Sequence, residues 1–225
     1  MLNFDFSGII YPIVIHWVWT PQGWLNKLGY TDFAGAGPVH ILGGACSLVG
    51  TVLLGPRIGR FDGEEMPGHS TPVQTHHIIY LPVKLYNSNQ LIITYFFQLI
   101  AIGGFILITG FMAFNGGSAI SMTGPQAAQT ISIVIANTVM AGTGGGLSAV
   151  IAARIGLVGP KVWNFTVTLN ASLAGMVAVC GAADKLLMWS ALLLGILCTP
   201  IYIGLHRLIP YLKGKYNLWA LWPKD

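Results

Sequence analysis

The sequence predicts an all-α polytopic membrane protein with about six transmembrane helices. Lys and Arg number 11 and Asp and Glu number 7, so charged residues make up 8% of the 225-residue chain, against about 25% in soluble globular proteins. Hydrophobic residues make up 54% and the mean hydropathy is +0.67. A water-facing surface needs more ionic groups than this, whereas lipid tolerates almost none. The same composition excludes a disordered chain, a coiled coil and a nucleic-acid-binding module.

Six apolar stretches have the composition of membrane spans. A helix crosses the hydrocarbon core with about 17–25 mostly apolar residues. The predicted spans are residues 6–20, 33–55, 91–114, 126–153, 162–183 and 186–205. Glycine is abundant, at 29 residues, and lets membrane helices approach each other closely. We therefore expect one membrane domain over residues 1–225, with a tight turn at Asp184-Lys185 between the last two spans.

The basic residues fall almost entirely in the loops on one side of the predicted spans. Of the 11 Lys and Arg residues, all but Lys27 and Lys185 lie on that side. Because basic loops face the cytoplasm, both termini are expected to be cytoplasmic, with residues 208–225 as a cytoplasmic tail. A signal peptide over the first residues is disfavoured, because Asp5 stands where a basic segment is required.

Two histidines lie inside predicted spans, where an ionisable side chain is costly and indicates function by default. His40 lies about 10 Å below the outer end of the second span, among glycines and alanines. For His16, a core histidine held by a backbone carbonyl is the favoured interpretation. Cys46, Cys180 and Cys198 also lie inside spans and indicate packing rather than disulfides, because their number is odd.

Four further side chains lie at the predicted outer ends of the spans. Trp19 ends the first span, Phe114 and Ser118 end the third, and Asp32 precedes the second. An aromatic face attracts a small cation by about 0.5–2 kcal/mol, and a serine oxygen can accept an N–H bond. Asp at a helix N-terminus accepts hydrogen bonds from free N–H groups. A cation entrance is one interpretation, and an aromatic interface belt with a helix cap is the alternative.

Five blocks of sequence carry a family resemblance. They are Tyr-Pro-x-Val-x-His-Trp-Val-Trp at 11–19, Asp-Phe-Ala-Gly-x-Gly-x-Val-His at 32–40, Leu-Gly-Pro-Arg-Ile-Gly-Arg-Phe at 54–61, Ala-Phe-Asn-Gly-Gly-Ser at 113–118 and Thr-Leu-Asn-Ala-Ser-Leu-Ala-Gly-Met-Val-Ala-Val-Cys-Gly at 168–181. In this order and spacing they resemble the ammonium transporters (Amt/Mep/Rh), and the residues of the blocks look most like those of animal members. The resemblance covers about residues 8–75 and 101–207.

The resemblance implies a role for each candidate residue. Trp19 and Ser118 look like the outer ammonium-binding site, Phe114 like the gate phenylalanine, and Asp32 like the structural aspartate near the site. His40 looks like the first of two pore histidines. Family members have eleven spans and form homotrimers, so the expected partners are ammonium or ammonia, the bilayer of the plasma membrane and, in a complete protein, two further copies. No metal, cofactor, nucleic acid or enzymatic activity is implied.

The chain departs from the family pattern in two places. It corresponds to roughly the fourth to ninth family spans, which leaves the second pore histidine outside it, so the sequence as it stands predicts little or no transport. Residues 76–100 match no block and are expected to be an insertion, with 76–90 as a cytoplasmic loop.

Two functions therefore stay open for the chain. The first is transport of ammonium or ammonia through a hydrophobic pore, and the second is a truncated, non-conducting relative with a structural or regulatory role. A membrane enzyme or metal carrier using His16 and His40 is disfavoured, because the spans lack the further ligands that a metal site needs.

Overall fold

The computed structural model describes residues 6–54, 88–159, 161 and 163–216. The regular elements within these ranges are helices, which confirms the all-α prediction. They are Tyr11–Trp19 (α1), Trp24–Lys27 (α2), Leu42–Leu54 (α3), Ser88–Gly117 (α4), Ala127–Arg154 (α5), Phe165–Val179 (α6) and Met188–Tyr216 (α7). Two π-helical turns, Phe6–Ile10 and Ala36–Ile41, run directly into α1 and α3.

Several of these helices are long and apolar enough to cross a membrane, which confirms the polytopic architecture. In the described ranges they are Ala36–Leu54, Gln98–Gly117, Ala127–Arg154 and Met188–Leu208. The helix over the predicted span 162–183 has 15 residues, or about 22 Å at 1.5 Å per residue. The helical stretch Phe6–Trp19 over the predicted first span is also short. These two segments fall below the usual length of a full crossing.

Helix α5 is the centre of the described bundle and packs against α4, α6 and α7. Its buried face consists largely of alanine and glycine. A Cβ added at Gly195 in α7 would collide with the backbone oxygen of Ala141, and one added at Gly145 would collide with that of Ala171. Small residues of this kind allow close backbone contact, which is how helices associate where lipid removes the hydrophobic driving force.

Buried and half-buried hydrogen bonds add to this packing at two levels of α5. The Ser148 hydroxyl donates to the hydroxyl oxygen of Thr199 over 2.6 Å, which links α5 to α7. The Asn137 amide donates to the backbone oxygens of Ala183 (2.9 Å) and Leu186 (2.7 Å), in the turn between α6 and α7. Pairing of buried polar groups is required inside a bilayer, so these contacts fix the relative positions of the three helices.

The helix ends differ from the predicted span limits in two places. Helix α4 begins at Ser88 and includes residues 88–100 of the predicted insertion, whereas residues 76–87 lie outside the described residues. Helix α7 continues to Tyr216, so the first part of the predicted tail is helical. The tight turn expected at 184–185 is confirmed. The insertion and the cytoplasmic position of the tail stay predictions.

Candidate functional site

The Asp32 carboxylate organises the chain where it enters α3. Its Oδ1 accepts hydrogen bonds from the backbone N–H groups of Gly35 (2.7 Å) and Ala36 (2.9 Å). Its Oδ2 accepts from the N–H of Gly37 (2.7 Å) and from the hydroxyl of Tyr30 (3.2 Å). The first N–H groups of a helix have no partner within the helix, and a carboxylate satisfies them. The helix-capping role expected of Asp32 is what the structure shows.

The loop around this carboxylate is tightly shaped. Gly35 has φ +91°, in the left-handed region that side chains disfavour, and a Cβ there would also meet Val39 and approach Cη2 of Trp19 to 3.3 Å. Burial raises the pKa of the Tyr30 hydroxyl, and the charge of Asp32 raises it further. Tyr30 therefore keeps its proton at neutral pH, and its hydroxyl donates a hydrogen bond to Asp32.

The indole of Trp19 is held by the same loop. Its Nε1 donates a 2.7 Å hydrogen bond to the backbone oxygen of Asp32, while the residue stays 41% exposed. A tryptophan in an interface belt needs no fixed protein partner, so this bond gives Trp19 a defined position at the end of α1. An exposed and fixed indole ring is suited to attract a small cation.

His40 lies between two aromatic rings of α4. Its ring centroid is 5.5 Å from that of Phe111, at an interplanar angle of 27°, and 5.8 Å from that of Phe114, at 58°. The Nε2 of His40 is buried and has no hydrogen-bond partner among the described residues. A neutral imidazole nitrogen can donate or accept a hydrogen bond according to its tautomer. The sequence analysis missed Phe111, although its position three residues before Phe114 places it on the same helix face.

Ser118 lies one helical turn after Phe114. Its hydroxyl donates to the backbone oxygen of Phe114 over 2.8 Å, so its oxygen keeps lone pairs that can accept an N–H bond. No hydrogen bond between the described residues joins Ser118 to Trp19. The contacts instead run from Trp19 to Asp32, through the capped turn to His40, and from His40 to Phe114, whose backbone oxygen accepts from Ser118. The predicted site residues therefore form one connected series.

A buried polar cluster that the sequence analysis missed supports this series. Asn115 is 0% exposed; its amide donates to the Thr138 hydroxyl over 3.0 Å, and its oxygen accepts from the thiol of Cys180 over 3.3 Å. The backbone oxygens of Cys180 and Gly181 accept from the N–H groups of Ala34 (2.8 Å) and Phe33. Cys180 is therefore more than a packing residue. The cluster joins α4, α5 and the end of α6 to the loop that follows Asp32.

His16 is outside this arrangement. Its side chain is exposed, and its Nδ1 lies 3.2 Å from the hydroxyl of Thr20, one turn further along the chain. The prediction of a core histidine held by a backbone carbonyl is therefore wrong. Within the described ranges, no group of three His, Cys, Asp or Glu residues is placed to hold a metal ion.

Comparison with known proteins identifies the family. The profile of the Ammonium Transporter Family matches residues 2–83 and 78–215. The chain belongs to this family. It is 33% identical over 221 residues to Putative ammonium transporter 1 of Caenorhabditis elegans, with 92% of this chain and 36% of that protein covered. It is 34% identical over 217 residues to a putative ammonium transporter of Synechocystis sp., with 96% of this chain and 43% of that protein covered.

A solved structure shows the same fold. The structure described as "Sensor Amt Protein" superposes with a TM-score of 0.67 at 29% identity, and covers 93% of this chain and 45% of that chain. The chain thus spans less than half the length of these three proteins. The family match is wider than the resemblance noted from the sequence, because it also includes residues 76–100. The predictions of family and of a multi-pass helical membrane fold are confirmed.

Proposed function

We propose that the chain contributes the outer entrance and the first histidine of a pore that transports ammonium or ammonia. The observation that carries the proposal is the buried Nε2 of His40, which has no partner among the described residues and lies beside Phe111 and Phe114. Membership of a transporter family supports it. Among the described residues, Oδ1 of Asn137 and Oδ1 of Asp184 are also buried without a partner, but the His40 nitrogen is the one beside Phe111 and Phe114. Because buried polar groups usually have a partner, this nitrogen is available to a small solute.

Recruitment of the cation is assigned to Trp19 and Ser118. Ammonium is a compact cation with four N–H donors, so it can contact an aromatic face and donate to an oxygen at the same time. The indole ring of Trp19 supplies the face, and the Ser118 oxygen supplies the acceptor. The Asp32 carboxylate holds the loop under Trp19 and does not itself need to touch the cation.

Passage requires loss of a proton. Phe114 and Phe111 surround His40 with apolar surface, and a bare charge in such surroundings is penalised by several kcal/mol. We therefore assign neutral ammonia to the pore, with the proton of ammonium passing to water at the outer entrance and a hydrogen bond between ammonia and Nε2 of His40 on the way. Potassium has no proton to lose and no N–H to donate, so this arrangement disfavours it.

Family membership favours transport over a purely structural relative, and it also favours transport over catalysis. We further propose a homotrimer in the plasma membrane with both termini in the cytoplasm. The uneven distribution of basic residues supports this orientation. Accessibility labelling of terminal tags in intact cells tests the orientation. A tag that reacts from outside without permeabilisation would contradict it.

A chimera provides the test of transport. In the Caenorhabditis elegans relative, the segment aligned with this chain is replaced by this chain, and uptake of labelled methylammonium is measured with surface expression. We expect uptake that excess ammonium inhibits and excess potassium does not. A chimera that reaches the surface at the level of the intact relative, yet shows no ammonium-sensitive uptake, would overturn the proposal.

A further inference from the structure

Two buried oxygen atoms at the turn between α6 and α7 have no hydrogen-bond partner in the part of the chain that the structure describes. They are Oδ1 of Asn137 and Oδ1 of Asp184. Asn137 is 0% exposed and lies in α5, whereas Asp184 is half-buried in the turn. Buried oxygens usually accept a hydrogen bond, and neither of these belongs to the proposed ammonium pathway. The turn therefore offers acceptors that the described residues leave unused.

The amide group of Asn137 is fixed beside this turn. Its Nδ2 donates to the backbone oxygens of Ala183 (2.9 Å) and Leu186 (2.7 Å), which lie on either side of Asp184 in the sequence. The opposite orientation of the amide would set Oδ1 against two carbonyl oxygens, which cannot donate a hydrogen bond. The amide nitrogen therefore takes both carbonyls, and Oδ1 stays an acceptor next to the turn that carries Asp184.

We propose that Oδ1 of Asn137 and the carboxylate of Asp184 bind a small monovalent cation at this turn. Amide, carbonyl and carboxylate oxygens are the ligands that hard cations prefer. The backbone oxygens of Ala183 and Leu186 each have a second lone pair that can complete the ligand set. The carboxylate gives this set one negative charge, which matches sodium, potassium or ammonium. The proposal does not rest on the proposed transport function.

A divalent ion fits this turn less well. Calcium takes about 6–8 oxygen ligands and magnesium requires a near-octahedral set. Within the described ranges, no group of three His, Cys, Asp or Glu residues is placed to hold a metal ion. Lys185 is exposed, and no ion pair joins it to Asp184 among the described residues, so the charge of Asp184 is available to a cation. A buried water molecule is the alternative occupant, because it can donate to both oxygens.

A cation at this turn would stabilise the contact between three helices. It would join α5 to the connection between α6 and α7. The same connection begins at Cys180 and Gly181, whose backbone oxygens accept from the N–H groups of Ala34 and Phe33 in the loop that follows Asp32. Removal of the ion should therefore lower the thermal stability of the protein.

Two substitutions separate a cation from a water molecule. Asp184→Asn keeps the size of the side chain and an oxygen acceptor but removes the charge, so a water molecule would still bind and a cation would lose its charged ligand. Lys185→Gln is the matched control, because it removes a charge of the opposite sign from the next residue of the turn. General damage to the turn would weaken cation binding in both variants, whereas loss of a ligand weakens it in Asp184→Asn alone.

The test measures thermal unfolding of the purified 225-residue chain in detergent, in sodium, potassium or ammonium chloride. N-methylglucamine chloride at equal ionic strength is the reference, because its cation is too large for the turn. At least one of the three ions should raise the unfolding temperature by about 3–6 °C at about ten times its dissociation constant. Asp184→Asn should weaken that ion about 10- to 100-fold, the loss expected for a charged partner. Lys185→Gln should bind it equally or more tightly.

Several outcomes would overturn the proposal. Equal unfolding temperatures in all four salts would leave water as the occupant. Cation stabilisation that Asp184→Asn retains in full would place the ion elsewhere, and equal losses in Asp184→Asn and Lys185→Gln would show general damage to the turn. If Asp184→Asn fails to fold, Asp184→Glu replaces it, because it keeps the charge and moves the carboxylate by one methylene. A direct ligand predicts changed affinities for the ions in Asp184→Glu, and unchanged affinities would contradict the site.

Discussion

The indole nitrogen of Trp19 lies 2.7 Å from the backbone oxygen of Asp32 and donates a hydrogen bond to it. The residue that ends α1 is thereby anchored to the residue that caps the entry to α3. The side chain of Asp32 and its backbone oxygen act on different partners, because the carboxylate holds the turn and the carbonyl holds the indole. The position of the indole and the chain leading to His40 thus depend on one short loop.

This bond separates two roles of Trp19 that substitutions can test. Trp19→Leu removes the aromatic face and the N–H donor, whereas Trp19→Phe keeps a face and removes only the donor. In the chimera, we expect Trp19→Leu to lower the apparent affinity for ammonium about 2- to 30-fold, from a cation–π energy of about 0.5–2 kcal/mol, and Trp19→Phe to lower it less. Competition of methylammonium uptake by ammonium and by potassium measures both. Unchanged competition in both variants at normal surface expression would leave Trp19 as an interface residue.

The Asp32 cap should matter for folding before it matters for transport. Asp32→Ala leaves the N–H groups of Gly35, Ala36 and Gly37 without their acceptor, and each buried orphan costs about 1–3 kcal/mol. We expect a large loss of surface expression and a lower unfolding temperature in detergent. Asp32→Asn keeps one oxygen acceptor and should be less severe. Wild-type unfolding of Asp32→Ala would show that the loop is held by other contacts.

Tyr30 provides a pH-dependent test of the same loop. Its pKa is raised above the ordinary tyrosine value of 10.0 by burial and by Asp32, so above pH 10 the unfolded chain loses the phenolic proton before the folded chain does. The stability contributed by Tyr30 is therefore fully present below pH 10 and declines as the pH rises through the folded-state pKa. Tyr30→Phe should remove this alkaline decline from the pH profile of thermal unfolding. An identical decline in Tyr30→Phe would assign it to other groups.

The parts of this structure that were predictable from sequence are those fixed by local physics. Runs of apolar residues located the helices, and an aspartate before a glycine-rich helix start predicted the cap. The Asn115 cluster was not predictable, because its partners are 23 and 65 residues away and only helix packing brings them together. The exposure of His16 was missed for the same reason: spacing along one helix does not show which face is covered.

The Asn115 cluster should position Phe114 without contacting the solute. Asn115→Ala removes the hydrogen bonds to Thr138 and Cys180. Without them α4 is free to rotate, and Phe114 is no longer held against His40. We expect a lower maximal rate of methylammonium uptake with little change in half-saturating concentration, because the substitution leaves the proposed recruiting residue Trp19 unchanged. Thr138→Val removes one of the two bonds and should give a smaller effect. A change in half-saturating concentration alone would instead place Asn115 in the recruitment site.

His40 is the residue whose substitution distinguishes a pore from a packed core. His40→Asp keeps a protonatable polar group but places a carboxylate between Phe111 and Phe114, where it favours a cation over neutral ammonia. We expect the chimera carrying His40→Asp to conduct potassium, with a current that depends on membrane potential. Ammonium should still compete with methylammonium for binding at the proposed outer site. Electrical recording with ammonium and potassium measures this change in selectivity.

The control for this change is His16→Gln, because His16 is exposed and, within the part of the chain that the structure describes, its ring bonds only to Thr20, so this variant should leave selectivity and rate unchanged. If His40 were a packing residue alone, a buried carboxylate without a partner would destabilise the protein by several kcal/mol and surface expression would fall. A folded His40→Asp variant that keeps the original selectivity would contradict the pore assignment. Altered selectivity at normal surface expression would support the pore assignment, because it would mean that the conducted species passes the position that the His40 imidazole occupies.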